Sequence, residues 1–160
     1  SEQEKQVISV EKEKAYQEGF RPHLKLLDGL DIFLEKSRRG DIKMAIGSAA
    51  ILMNIDFVLD GLGVRKYFSG IVSADDVTRS KPDPETYLKC AGILDVEPGD
   101  CLVFEDSPKG TEAARHAGMD CVVITTMHEP EEFDPANIIR FTKDFTGHLY
   151  ESINSNKEQV

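Results

Sequence analysis

Residues 101–125 read CLVFEDSPKGTEAARHAGMDCVVIT, and the order of apolar runs, caps and stops in this stretch decides the fold. The run CLVF predicts a short strand over 101–104. Ser107 followed by Pro108 predicts a helix start: a serine hydroxyl takes an orphan N–H, and proline at the first helical position loses no hydrogen bond. Ala113, Ala114 and Ala117 carry that helix to Gly118, which ends it. CVVIT (121–125) is then a second strand. Neither strand alternates apolar with polar residues, so each is expected to be covered on both faces, as in a parallel sheet.

The same alternation of strand and helix extends on either side. IKMAIG (42–47) and GIVSA (70–74) predict two more strands. Leu30, Phe33 and Leu34 stand at helical spacing, followed by Lys36, Arg38, Arg39 and Gly40, cations and a glycine suited to a helix C-terminus. Ile51, Ile55, Val58, Leu59 and Leu62 keep the same spacing and close at Gly61 and Gly63. In KPDPETYLKCAGIL (81–94), Asp83 predicts the N-cap, Pro84 the first helical residue, and Leu88, Ala91 and Ile93 or Leu94 the buried stripe. Residues 1–19 predict one peripheral helix stopped by Pro22, and ESINSNKEQV (151–160) a disordered polar tail. The expected fold class is α/β, a doubly wound, mainly parallel sheet in a single core domain.

Composition narrows the partners. A chain of 160 residues can bury a sizeable core without disulfides or a structural metal. Its formal net charge of −10 argues against nucleic acid or an anionic membrane, both of which reward Lys and Arg. Cys90, Cys101 and Cys121 have no CxxC spacing, and two of them fall in apolar strand-like runs where a thiol packs as a small hydrophobe. No run approaches the roughly 20 apolar residues of a membrane span, and the charged N-terminus lacks a signal core. A soluble cytoplasmic protein is expected. The chain begins at Ser1, which either removal of an initiator Met or cutting from a longer chain would give.

In an open parallel sheet, ligands bind beyond the carboxyl ends of the strands. Three elements converge there. The strand ending near Gly47 leads into Ser48-Ala49-Ala50, a hydroxyl and backbone N–H groups before a helix, either an ordinary cap or a phosphate cradle. After the second strand, prolines 82 and 84 fix the backbone around Lys81, either a solvated cation or an ammonium with a set direction. The third strand ends in Glu105 and Asp106. Adjacent carboxylates raise each other's pKa unless something positive sits beside them. They serve either as helix-start acids or as oxygen ligands for a hard cation such as Mg²⁺. Together the three supply positioning and charge neutralisation, the main demands of phosphoryl transfer.

AIGSAA (45–50), SKPDPETY (80–87) and VFEDSPKGTEAARHAGM (103–119) resemble, in order and spacing, the second, third and fourth motifs of the haloacid dehalogenase superfamily. The branch is that of β-phosphoglucomutase-like phosphatases, and the resemblance covers residues from about 21 to about 126. It implies that Ser48 and the Ala49 N–H bind the transferring phosphoryl group, that Lys81 bridges phosphate and nucleophile, and that Glu105 and Asp106 hold Mg²⁺. It also implies three regions: 1–19 as the remnant of a helical cap, 20–148 as the α/β core and 149–160 as a polar tail.

One motif of that family has no counterpart. Its nucleophile is the first Asp of a DxDG motif ending the first, central strand, and the second Asp is the general acid and base. Leu27-Asp28-Gly29-Leu30-Asp31 has neither a preceding apolar run nor an acid two residues after Asp28, and both acids read as helix-start residues. Two strand edges are therefore expected to face a gap, where each unpaired N–H or C=O costs about 1–3 kcal/mol if buried. An upstream segment, mutual pairing of the edges or a second chain would complete the sheet. With those acids missing, Glu105 and Asp106 are expected to bind Mg²⁺ weakly and to titrate higher than in a complete site. The function implied is the C-terminal part of a Mg²⁺-dependent phosphatase or phosphomutase for a small, sugar-phosphate-like metabolite. The alternative is a catalytically silent relative that binds phosphate or a cation as an interaction module. A signalling receiver also pairs acids with a Lys, but the KPDP element and the late acid pair weigh against it. His23 and His116 have no ligand partners at metal spacing, and His128 is expected in a surface loop.

Overall fold

The computed structural model describes residues 2–154. Helix α1 (Glu2–Phe20) leads through a single 3₁₀ turn to α2 (Leu30–Arg39). Then follow β1 (Ala45–Gly47), α3 (Leu52–Gly61), β2 (Gly70–Val72), α4 (Glu85–Leu94), β3 (Leu102–Glu105), α5 (Pro108–His116), β4 (Asp120–Ile124), β5 (Ile138–Thr142) and α6 (Leu149–Asn154). All strand pairs are parallel, in two groups: β1 with β2, and β3 with β4 with β5. Among the described residues no ladder joins β1 to β3, so the two edges expected to face a gap do not pair with each other.

Helices cover both faces, which explains the non-alternating strands. Val103 and Cys121 face α4 and α5, packing with Tyr87, Ala91, Ala113, Ala114 and Ala117. Their neighbours Leu102, Phe104, Val122 and Ile124 face the other way, toward Phe33 of α2 and Leu149 of α6. A third cluster seats Leu34, Ile55 and Leu59 against Met44, Ile46 and Ile71 of the smaller strand pair. Phe33 and Leu34 are adjacent in sequence, so α2 serves both strand groups at once. Phe33 meets Phe104, Phe145 and Tyr150 edge-on, with centroids 5.2, 5.1 and 5.9 Å away.

Local signals hold with several corrections, the first being that β1 starts at Ala45 rather than Ile42 and β2 ends at Val72 rather than Ala74. Ser107 caps α5 through Gly110 N–H, Pro108 stands at its first position, and Gly118 takes φ +76° where the chain leaves the helix. Helix α4 begins one residue later than expected: Pro84 occupies the cap, and Asp83 accepts from Glu85 N–H. Its buried face is Tyr87, Cys90 and Ala91, whereas Leu88 and Ile93 are exposed. Strand β5 was not predicted, although IIRFT is rich in β-branched and aromatic residues. Residues 151–154, expected in a disordered tail, belong to α6, held by the buried Leu149 and by Arg140 on Ser152; residues 155–160 lie outside the described residues. No helix among the described residues is long and apolar enough to cross a membrane.

The aromatic cluster yields a stability prediction. Phe33→Ala should lower the unfolding free energy by about 3–5 kcal/mol in urea titrations. Ile32→Ala, one residue away but 59% exposed, should change it by no more than about 0.5 kcal/mol.

Candidate active site

Each candidate residue follows the carboxyl end of a parallel strand. Ser48 leaves β1, its N–H donating to Val72 O at 2.9 Å. Its Oγ accepts from Ala50 N–H at 3.1 Å, and α3 starts only at Leu52, whose N–H donates to Asp75 at 2.9 Å. The helix terminus expected to cradle an anion is thus already occupied by a carboxylate, and the turn at 48–50 offers the remaining groups. A serine oxygen that accepts a bond still has its own proton to donate.

The loop carrying Lys81 is fixed by Glu85. Its carboxylate accepts from Thr78 N–H, Thr78 Oγ1, Arg79 N–H and Lys89 Nζ. The hydrogen bonds from Lys89, then Thr78 and Arg79, hold its pKa down at about 2. A cavity of about 230 Å³ opens beside this loop, lined by Ser48, Ala49, Thr78, Ser80, Lys81 and Thr86. Ser48, Ala49 and Lys81 are thereby brought together, as the sequence predicts.

Lys81 is the positive group beside the acid pair. Its ammonium bonds to Glu105 Oε1, to Tyr87 OH at 2.7 Å and to Gly47 O at 3.3 Å. The Lys81 and Glu105 side chains are only 11% and 8% exposed. Glu105 Oε1 also accepts from Tyr87 OH. Glu105 Oε2 accepts from Asp106 N–H, Ser107 N–H and Ser107 Oγ. Burial pushes the Glu105 carboxyl up, but the Lys81 charge and the hydrogen bonds from Lys81, Tyr87 and Ser107 bring it below the usual range. The Lys81 ammonium, rather than the neighbouring acid, sets the direction of that shift. Burial, then the Glu105 charge, pushes the Tyr87 phenol far up. Burial also raises the Cys90 thiol to about 11 and the Cys121 thiol to about 12, so both are core hydrophobes in chemistry as in packing.

The acid pair does not act as a pair. Glu105 turns inward with both oxygens occupied, whereas Asp106 is exposed, with Thr126 Oγ1 at 3.5 Å. Among the described residues no group of three His, Cys, Asp or Glu is placed to hold a metal. Mg²⁺ commonly takes one or two carboxylates, with water and phosphate oxygens completing its shell. Asp106 fits that requirement; Glu105, expected as a second ligand, does not in this arrangement.

Three contributors were not singled out from sequence. Tyr87 and Glu85 sit inside SKPDPETY, where the helical spacing of Tyr87, Cys90 and Ala91 marks the buried face. Gly110 is the third: a Cβ there would lie 1.9–2.2 Å from the Glu105 carboxylate. His116 Nδ1 lies 3.1 Å from Pro82 O and His128 pairs with Glu132 in an exposed loop, while His23 packs near Phe20.

The core is a parallel α/β sheet with a hydroxyl, a buried ammonium and two carboxylates at or beyond the carboxyl ends of its strands. The haloacid dehalogenase-like hydrolase family model matches residues 1–124, and the chain belongs to that family. It is 42% identical over 101 residues to the fructose-1-phosphate phosphatase YqaB of Escherichia coli, a match covering 61% of this chain and 54% of that protein. It is 34% identical over 120 residues to the validoxylamine A 7'-phosphate phosphatase of Streptomyces hygroscopicus subsp. limoneus, covering 75% of this chain and 55% of that one. The β-phosphoglucomutase of Clostridium difficile superposes with TM-score 0.81 at 26% identity, covering 99% of this chain and 69% of that one. The chain thus spans little more than half the length of these curated relatives.

Two predictions test the framework. Gly110→Ala must displace Glu105 or bend α5, and should cost about 1–3 kcal/mol in denaturant unfolding. For Glu85, a carboxyl with a lowered folded-state pKa contributes stability that is fully present above its unfolded value, near 4.5, and lost as pH falls toward about 2. Glu85→Gln should therefore be less stable than wild type at pH 7, with the gap closing between pH 4.5 and 2 in acid titrations followed by circular dichroism.

Proposed function

We propose that these residues form the C-terminal part of a Mg²⁺-dependent phosphatase or phosphomutase acting on a small phosphorylated metabolite of sugar-phosphate type. The observation that carries this reading is the Lys81 ammonium, buried, held from three sides and lining the same cavity as Ser48. The Ser48 hydroxyl and Ala49 N–H donate to phosphoryl oxygens, and Lys81 offsets their charge; donors fixed in advance need no reorganisation when charge develops.

Neither Ser48, whose Oγ has no general base among its hydrogen-bond partners, nor Lys81, held as an ammonium on Glu105, is activated to accept the phosphoryl covalently. The acceptor is an aspartate outside residues 1–160, carried on a strand that fills the slot between β1 and β3. Its carboxylate oxygen bonds to phosphorus as the bond to the ester oxygen breaks, that oxygen taking its proton from the second Asp of the same DxDG motif, and the resulting acyl phosphate passes to water or to a second hydroxyl. Asp106 is this chain's ligand for Mg²⁺, which when bound adds positive charge against the phosphoryl oxygens. Helix α1, docked on α3 through Gln17 and Glu13 to Asn54 at 2.9 and 2.7 Å, is the trailing helix of the cap. The two curated relatives are named as phosphatases of fructose-1-phosphate and of validoxylamine A 7'-phosphate, which supports a small phosphorylated metabolite as substrate here.

The test is phosphate release from an activated aryl phosphate by the protein encoded by the complete reading frame. Turnover should require Mg²⁺ and fall on the order of 10²–10³-fold in Lys81→Ala. Undiminished turnover in that variant would sink the reading, as would a reading frame with no hhhhDxDG stretch within about a domain length of Ser1. Phosphate binding without any turnover would favour the silent binding module instead.

A further inference from the structure

Tyr87 stands between the two charges of the site. An ammonium only donates, so the contact between Lys81 Nζ and Tyr87 OH at 2.7 Å makes the phenol oxygen the acceptor. The phenol's single proton then goes to Glu105 Oε1. Glu105 Oε1 thus accepts from both the phenol and the ammonium. The Tyr87 ring lies under the ammonium as well, 4.5 Å from Nζ to the ring centroid, and is 6% exposed.

We propose that Tyr87 is a positioning residue that sets the direction of the Lys81 ammonium: by accepting one N–H it fixes the rotation of the head group and leaves the third N–H toward Gly47 O and the cavity. Two of the three ammonium protons are pinned, on Glu105 and on the phenol. The third rests on Gly47 O at 3.3 Å, the longest of the three contacts and the one nearest the Ser48 turn. An arriving phosphate oxygen takes that proton at little cost. Without the phenol, the ammonium keeps Glu105 as its one side-chain partner and rotates about that bond, so its third N–H is no longer held toward Gly47 O and the cavity. Glu105 cannot follow the ammonium outward, because Oε2 is fixed by three donors from residues 106 and 107.

The inference rests on the phosphate role assigned to Lys81, and the experiment separates the two. Inorganic phosphate is titrated calorimetrically into the protein encoded by the complete reading frame as wild type, Lys81→Ala and Tyr87→Phe. In parallel, the Lys81 ¹⁵Nζ–H cross-peak is followed at low temperature. Tyr87→Phe keeps the ring, its packing and its contact with the cation, and removes only the hydroxyl. The expected result is a loss of phosphate affinity on the order of tenfold in Tyr87→Phe, with the cross-peak shifted or lost. Unchanged affinity together with an unmoved cross-peak would overturn the proposal and leave Tyr87 a packing residue. If Lys81→Ala binds phosphate as tightly as wild type, the phosphate reading of Lys81 fails, and the cross-peak in Tyr87→Phe alone decides the proposal: moved, it supports Tyr87; unmoved, it overturns it. Should Tyr87→Phe not fold, the wild-type spectrum decides: a long-lived ammonium signal with a cross-relaxation contact to the Tyr87 hydroxyl proton supports the proposal, and absence of that contact overturns it.

Discussion

The buried contact between Lys81 and Glu105 is the constraint on which the rest of the site depends. Removing an ammonium and a carboxylate from water costs several kcal/mol per ion unless each is paired and its remaining hydrogen-bonding capacity is filled. The surroundings meet that demand in full. Glu105 accepts from Lys81, Tyr87, the 106 and 107 amides and the Ser107 hydroxyl. Among the described residues no buried side-chain nitrogen or oxygen lacks a partner. The same network explains Gly110, since any side chain there would occupy the space of the carboxylate. It also explains why Ser107 both caps α5 and contacts Glu105: one hydroxyl starts the helix and orients the acid.

This pair also spans the division in the sheet. Strands β1 and β3 share no ladder, so the two strand groups are joined by side chains and helices. On one face, α2 contributes Phe33 to one cluster and Leu34 to the other. On the opposite face, α4 packs against β1 and β2 while sending Tyr87 and Ala91 into the cluster around β3 and β4. At the carboxyl ends, Lys81 reaches Gly47 O on one side and Glu105 on the other. The edges of β1 and β3 that share no ladder are therefore bridged at their carboxyl ends by Lys81. A strand pairing in parallel with either edge would bring its last residue toward the ammonium, the placement that the proposed aspartate requires.

Much of this was legible because the signals are local. Ser107-Pro108, the alanines of α5 and Gly118 specify a cap, a buried face and a stop within a dozen residues, and the structure places each as read. Lys81 does have a fixed direction, but its loop is held by Glu85 and its ammonium by Glu105 and Tyr87, groups that the prolines do not announce; the strand-helix alternation correctly gives a parallel sheet. The misses arise where tertiary contacts override local preference. Leu88 is more apolar than Tyr87, yet Tyr87 is buried, because its hydroxyl completes a charged network that hydrophobicity alone does not register. Helix α6 is short and polar on most sides, and its order comes from Leu149 entering the aromatic cluster of α2 and β3. Strand β5 is an edge with Ile139 and Phe141 exposed, so neither periodicity nor burial announces it.

The adjacency of Glu105 and Asp106 has a geometric resolution that the sequence could not supply. Successive residues at a strand end point to opposite sides. Glu105 ends β3 in phase with Val103, whose side chain faces α4 and α5. It is therefore directed into the layer from which Lys81, Tyr87 and Gly110 approach, and Asp106 is directed out. The two carboxylates are divided by the chain's own pleat: one is neutralised within the fold, and the other is left facing solvent at the mouth of the site. Their repulsion is relieved from one side only, by an ammonium that Asp106 does not share. A binding site that needs one fixed cation and one outward anion thus follows from two neighbouring acids, a strand that alternates and a lysine held by a tyrosine.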